Sequence, residues 1–299
     1  GTIIKTLGQQ TGLETLVDLG GYASAMSGPA MAVAIGWALH CPPLVLFSLV
    51  TVGYSSNALG GAGGPLAVLI IAIVAAELGK AVSKETRVDI LVTPLVTIFA
   101  GVGLSMLIAA PIGAAASQVG TLIMWATEQA PFLMGILVSV IVGLGLTGLA
   151  GGAAVAGCCA QMIGFAVMSY KENGVGGLIS QGLGTSMLQM GNIVKNPRIW
   201  IAPTLASAIT GPLATCVFHL EMNGAAVSSG MGTCGLVGQI GVYTGWINDI
   251  AAGTKAAITP MDWAALVLVC FVLPAVLSVI FCEIERKLGW IKEGDLKLN

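Results

Sequence analysis

The sequence predicts an all-α polytopic membrane protein of about 8–10 transmembrane helices, interrupted by broken or re-entrant glycine-rich segments. Three observations carry that prediction. Residues 19–76, 58 in a row, contain no Asp, Glu, Lys or Arg. Over the whole chain only 9% of residues are charged and 56% are hydrophobic, where a soluble domain carries roughly 25% charged residues. The charge-free run is also broken, at Gly28-Pro29, at Pro42-Pro43 and at Asn57-Ala-Leu-Gly-Gly-Ala-Gly-Gly-Pro65. Non-helical backbone at membrane depth is tolerated only where protein or a wet cavity surrounds it, and transporters build binding sites from such breaks. The expectation is a membrane protein that handles a solute.

The elements follow in order. No charge falls between Asp89 and Glu128, between Glu128 and Lys171, or between Asp262 and Glu283, and each run holds at least one helix of the ~20 residues needed to span. Crossings are expected at about 22–40, 42–59, 64–79, 90–110, 131–147, 152–170, 199–220 and 262–283. Residues 117–130, with Trp125 and Glu128, read as an interfacial helix. Residues 177–190 are too short and too polar for an ordinary span. The stretch 224–245 is apolar but glycine-rich, and is expected to be re-entrant or unwound. Trp200, Trp246, Trp263 and Trp290 fall near segment ends, as aromatic belts do.

Basic residues cluster at Lys80, Lys84 and Arg87, at Lys195 and Arg198, and at Arg286, Lys287, Lys292 and Lys297. The positive-inside rule assigns all three clusters to the cytoplasm. Two crossings between Arg198 and Arg286 satisfy it if 224–245 does not span. Between Arg87 and Lys195, three candidate spans return the chain to the wrong side, which calls for a re-entrant candidate or a missing segment. Gly-Pro-Leu-Ala at 64–67 recurs at 211–214, each copy leading through an apolar run to a glutamate, Glu77 or Glu221. Inverted repeats produce such echoes, and so does chance among four common residues.

Several functions are excluded. The net charge of −2 and the lack of a basic tail leave nucleic-acid binding without support. The seven cysteines have no metal-ligand spacing and read as small buried hydrophobes. No catalytic constellation, metal site or cofactor is expected. The glycine-rich string at 57–65 lacks the Gly-Lys-Ser/Thr ending of a phosphate-binding loop.

The candidate site residues are polar groups at breaks or within charge-free runs. Glu221 ends the apolar run 199–220 beside His219 and Asn223, and an ionisable group at a membrane edge is by default a functional candidate. Its carboxylate can accept two sugar hydroxyls or a proton; its plainer use is as a helix-end cap in headgroup water. His219 can couple to pH or be simply interfacial. Asn57, with Gly61 and Gly64, stands where unwound backbone would offer amides and carbonyls to a ligand, or where a turn needs left-handed geometry. Gln161 needs a partner in lipid, a solute or a neighbouring helix. Gln181, Gln189, Asn192 and Asn196 form either a polar entrance or a solvated loop. Thr233 and Gln239 punctuate a glycine-rich run in which backbone can approach a ligand or another helix. Asp249 and Asp262 flank the Lys255 loop and read as solvated.

Several strings together resemble one family. They are the 57–68 stretch Asn57-Ala-Leu-Gly-Gly-Ala-Gly-Gly-Pro-Leu-Ala-Val68, Val82-Ser-Lys-Glu-Thr-Arg-Val-Asp-Ile-Leu-Val-Thr-Pro94, Gly157-Cys-Cys-Ala-Gln-Met162 and Asn196-Pro-Arg-Ile-Trp-Ile-Ala-Pro-Thr-Leu-Ala-Ser207. Gly230-Met-Gly-Thr-Cys-Gly-Leu-Val-Gly-Gln239 and Arg286-Lys-Leu-Gly-Trp-Ile-Lys292 complete the set. They are similar to the EIIC-like membrane subunits of the bacterial phosphotransferase system, a family also labelled PfoR-like toxin regulators. The likeness runs over nearly the whole chain and implies a single EIIC-like transmembrane domain, 1–299. It departs in two places: family members begin with a further hydrophobic segment, and they carry about one more span near 142–148. The resemblance implies a sugar-permease fold, a homodimer in the bacterial cytoplasmic (inner) membrane, and separate soluble phosphocarrier subunits. The chain itself would be at most the non-catalytic permease subunit. No family site residue carries over to a numbered position.

Three functions fit the sequence. The first is a transporter subunit that binds and translocates a sugar or similar small polar solute, by alternating access around 57–65 and 221–241. The second is a ligand-sensing membrane regulator without transport. The third is a passive channel, for which no ring-forming filter motif is present.

Overall fold

The computed structural model describes residues 1–85, 88–141 and 146–298. Among them the chain is helical, with one isolated antiparallel bridge, Gly148 to Met222. It is a multi-pass membrane protein. Six helical stretches are long and apolar enough to cross a bilayer: Pro43–Gly60, Gly64–Val82, Asp89–Gln129, Gly148–Met168, Pro197–Val217 and Pro260–Lys287. The chain divides into two compact units, Gly1–Val119 and Gly120–Asn299.

In the first unit, α1 (Thr2–Thr11) turns into α2 (Glu14–Ala25) through Gly12, whose φ of 72° closes the helix. The expected crossing at 22–40 is instead split. Proline cannot supply the N–H that continues a helix and clashes with the carbonyl four residues back, so α2 ends at Ala25 and α3 (Ser27–Ala38) starts with Pro29 in its first turn. Twelve residues rise only about 18 Å. The span α4 (Pro43–Gly60) crosses α3 where Gly28 and Gly53 meet backbone to backbone. α5 (Gly64–Val82) adds an alanine-rich face of Ala67, Ala72, Ala75 and Ala76 to a core with Val45 and Leu49. Small residues permit the close helix approach that lipid itself does not drive.

The next span is longer than expected. α6 (Asp89–Leu104), a π-helical segment at Ser105–Ala109 and α7 (Ala110–Gln129) form one continuous stretch. Residues 117–130 are therefore not a separate interfacial helix. Pro111 withdraws one backbone donor, and the π segment just before it absorbs the defect without ending the helix. There Ser56 Oγ and Ser105 Oγ lie 2.8 Å apart, both buried.

In the second unit, the described residues of α8 (Pro131–Ile141) number eleven, about 16 Å of helix; the rest of the crossing expected at 131–147 falls largely outside the described residues. The missing segment expected near 142–148 falls largely on residues 142–145, outside the described residues, as does Arg87. α9 (Gly148–Met168) is the most buried span. After it come α10 (Tyr170–Ile179), kinked at Gly174 with φ 58°, then short turns, and α11 (Met190–Lys195). α12 (Ile201–Pro212) ends in a π segment at Leu213–Val217. The glycine-rich stretch is unwound only in its first half; α13 (Val237–Ala251) is regular helix. α14 (Pro260–Val267), a π segment ending two residues before Pro274 and α15 (Leu273–Lys287) complete the last span.

The two ends of this unit differ in charge. One end carries Lys171, Lys195, Arg198, Arg286, Lys287, Lys292 and Lys297, and the other only Lys255 among cations. At the basic end, residues 288–298 are bound down by amides. Gln181 and Gln189 are fully buried; Gln189 Nε2 donates to Gln181 Oε1 (2.9 Å) and to the Leu296 carbonyl (2.9 Å). Asn192 Nδ2 donates to Gln189 Oε1 (2.7 Å) and to the Lys297 carbonyl (2.9 Å). Asn196 Nδ2 donates to the Trp290 carbonyl (3.0 Å), and the Arg198 guanidinium lies 5.8 Å from the Trp290 ring. Glu172 pairs with Arg286 (2.9 Å) and accepts from Leu296 N (2.9 Å). Gln181 and Gln189 are therefore not a solvated loop; Gln189, Asn192 and Asn196 hold the segment 288–298, whose Ile291 and Leu296 are buried.

Gln189→Ala strips two buried acceptors of their donor, a loss of about 1–3 kcal/mol. Thermal unfolding in detergent should show a lower midpoint, and trypsin should cut at Lys292 faster than in the parent protein. An unchanged midpoint and cleavage rate would count against this role for the network.

Candidate functional site

The second unit opens a cleft of about 420 Å³ at its weakly basic end. Its central feature is the segment 218–224, which leaves the π segment at Val217 and runs non-helically to Gly224. His219 takes φ 45°, and Leu220 N returns to the Ala214 carbonyl at 2.8 Å. Met222 then bridges to Gly148 through two backbone bonds of 3.0 Å each. Side chains of an extended segment alternate in direction. Leu220 and Met222 turn inward and are buried, while Glu221 is exposed to the cleft.

Glycines position this segment. A β-carbon on Gly152 would overlap the Leu220 carbonyl, one on Gly151 would crowd Met222, and one on Gly245 would stand 2.7 Å from Asn223 N. A β-carbon on Gly224 would overlap the Gly241 carbonyl. The segment is thus held backbone-on-backbone between α9 and α13.

The polar groups converge from three elements. Asn223 Oδ1 accepts from Gly148 N (3.1 Å), which turns its amide N–H₂ toward two carboxylates. It donates to Glu221 Oε2 (3.1 Å) and to Asp249 Oδ2 (3.0 Å). Lys255 Nζ bonds Asp262 Oδ1 at 2.8 Å and lies 5.8 Å from the Trp246 ring centroid. Asp262 also caps α14 by accepting from Thr259 N (2.7 Å) and Thr259 Oγ1 (2.8 Å). Trp246 is no belt residue here: it is buried, packed edge-on to Trp263 at 5.4 Å, and with Phe218 and Leu220 contributes the apolar part of the lining.

The ten candidate residues separate. His219, Glu221 and Asn223 share the cleft. Thr233 and Gln239 are buried where Gly232 rests on Cys158 and Cys159 of α9; Gln239 Nε2 donates to Cys159 Sγ (3.1 Å). Among the described residues Thr233 Oγ1 and Gln239 Oε1 have no partner. Gln161 is taken up by helix contacts, accepting from Trp200 Nε1 (2.9 Å) and donating to Thr204 Oγ1 (3.4 Å). Asn192 binds the final segment as described. Asn57, Gly61 and Gly64 belong to the first unit: Asn57 is still helical, its amide lies against Gly64, and the break itself is the turn Gly61–Gly63, with φ 52° at Gly61. Sequence reasoning missed Asp249, Asp262, Lys255 and Trp246 as members of the cleft. One signal was available: Thr259-Pro-Met-Asp262 has the spacing of a helix-starting box, which fixes Asp262 at a helix entrance instead of in a loop.

A family model described as "Phosphotransferase system, EIIC" matches residues 1–298. The chain belongs to the EIIC family. Neither a curated protein nor a solved structure matches it. As an EIIC member it is a membrane permease subunit for sugar transport, and its partners are those of the phosphotransferase system. The matched description names EIIC and no toxin regulator. Among the described residues of this EIIC chain, no group of His, Cys, Asp and Glu is placed to hold a metal ion.

Gly152→Ala tests the glycine support directly. The added methyl forces the Leu220 carbonyl away, and overpacking of this kind costs about 1–3 kcal/mol. The unfolding midpoint should fall and ligand binding should weaken, although residue 152 does not line the cleft. Gly176→Ala, where nothing lies within 4 Å of the new carbon, should leave both unchanged. Equal behaviour of the two variants would remove the argument.

Proposed function

We propose that the cleft around Glu221, Asn223 and Asp249 is the site where this permease takes up its sugar, and that it opens on the extracytoplasmic side. The observation that carries this reading is the two carboxylates held either side of one amide, over a lining that is partly aromatic. Sugar hydroxyls donate to carboxylates, and ring C–H faces rest on aromatic surface; pockets of ~300–1,000 Å³ suit such small ligands. The charge asymmetry supports the orientation, since basic ends face the cytoplasm. The sugar enters at the Lys255 end and is released at the basic end, where separate soluble subunits deliver the phosphate. The protein acts as a homodimer in a bacterial cytoplasmic membrane. The proposed site is narrower than the ten sequence candidates: His219, Glu221 and Asn223, joined by Trp246, Asp249, Lys255 and Asp262. Thr233 and Gln239 sit one layer behind it and support the unwound stretch.

Two measurements test this. A ligand at ~100 times its Kd raises stability by about 2.7 kcal/mol. A hydrogen bond to a charged group contributes ~1.5–3 kcal/mol. Glu221→Gln should therefore weaken a sugar that stabilises the parent by about 10–100-fold; full retention of affinity would rule Glu221 out. For orientation, single cysteines at 254 and 292 are placed in a background lacking the native ones. Residue 254 should react with a membrane-impermeant maleimide in intact cells, and residue 292 only after permeabilisation. The reverse pattern would overturn the assignment.

A further inference from the structure

We infer that the cleft selects an amine-bearing sugar, such as a hexosamine in its ammonium form, over neutral or anionic sugars. The inference rests on the sugar reading of the cleft given above. Three carboxylates face the cleft, those of Glu221, Asp249 and Asp262, against the single ammonium of Lys255 and the imidazole of His219. Lys255 is committed to Asp262 at 2.8 Å. Among the described residues Glu221 and Asp249 pair with no cation, and their mutual partner is the Asn223 amide, at 3.1 and 3.0 Å. That amide cannot turn away, because its oxygen is engaged by Gly148 N. Two like charges are therefore gathered round one neutral donor, beside a lining that includes buried Leu220, Trp246 and Ala265.

A neutral sugar hydroxyl can bond each carboxylate but leaves the charge in place. An anionic sugar adds to the repulsion. An ammonium group offers three donors and a positive charge, and matches both carboxylates at once. Lys255 already shows the cleft accommodating this chemistry, with its ammonium bonded to Asp262 and near the Trp246 ring. A bare metal ion fits less well, since among the described residues no three ligating side chains are placed for one.

The test is calorimetric titration of the purified chain in detergent with glucosamine, N-acetylglucosamine, glucose and gluconate, at a pH where the amine is protonated. Glucosamine should bind about tenfold or more tighter than glucose, a difference of about 1.4 kcal/mol. N-acetylglucosamine, with the same nitrogen uncharged, should lose that advantage, and gluconate should bind weakest. Asp249→Asn should bring glucosamine and glucose together. Raising the salt concentration on the unaltered protein should weaken glucosamine and spare glucose, because screening acts on the charged pair; this arm needs no variant to fold. Glucose binding as tightly as glucosamine, or a preference indifferent to salt and to Asp249→Asn, overturns the inference and leaves the sugar site standing. If none of the four binds, the inference falls together with the sugar reading of this cleft.

Discussion

Backbone hydrogen bonding in a medium without water is the constraint on which the second unit depends. Every N–H and C=O of a chain that stops being helical near membrane depth needs a protein partner. The segment after Val217 meets this demand through Leu220 N to the Ala214 carbonyl and through the paired bonds between Met222 and Gly148. Further along, Leu146 N donates to Ser229 Oγ at 2.9 Å, and Gly238 N to the Gly232 carbonyl at 2.9 Å. Those bonds require the segment to lie against helix backbone, and only glycine leaves room. The non-helical stretch can then exist, and it is this stretch that turns Glu221 and Asn223 into an open cleft.

Much of the fold is legible in the sequence, because hydrocarbon burial writes itself as missing charge. Most of the long charge-free runs became spans, and Pro43 and Pro65 mark true helix starts. The misreadings share a cause. A crossing at 90–110 and a separate interfacial helix at 117–130 were expected, yet a π segment just before Pro111 carries one helix through both. Residues 22–40 had the hydropathy of a crossing, but hydropathy does not register where a helix stops. Ala25 precedes a proline-containing turn, and α2 ends there.

The candidate site was legible in part, for a different reason. Glu221 and Asn223 stood out because a polar group at the end of an apolar run is costly. Asp249 and Asp262 did not, because a short loop with a lysine between two aspartates is what a solvated surface also looks like. Only the tertiary arrangement brings Asp249 to the Asn223 amide, 26 residues away in sequence. The buried amides at the opposite end were ambiguous in the same way. Gln181 and Gln189 read as polar and therefore wet, while the Leu296 carbonyl that Gln189 bonds carries no sequence signature at all.

The glycine support has a consequence for how such a permease diversifies. Glu221 and Asp249 are presented by main chain locked to main chain, so the scaffold does not rely on their side chains for its packing, whereas the Asn223 amide also ties the segment to Gly148. Those two acidic positions can change with little loss of stability, whereas a side chain at Gly152 or Gly245 meets backbone and costs packing. On the proposed reading of the cleft, substrate preference and architecture rest on separate sets of residues, so one sugar could be traded for another without rebuilding the protein that carries it.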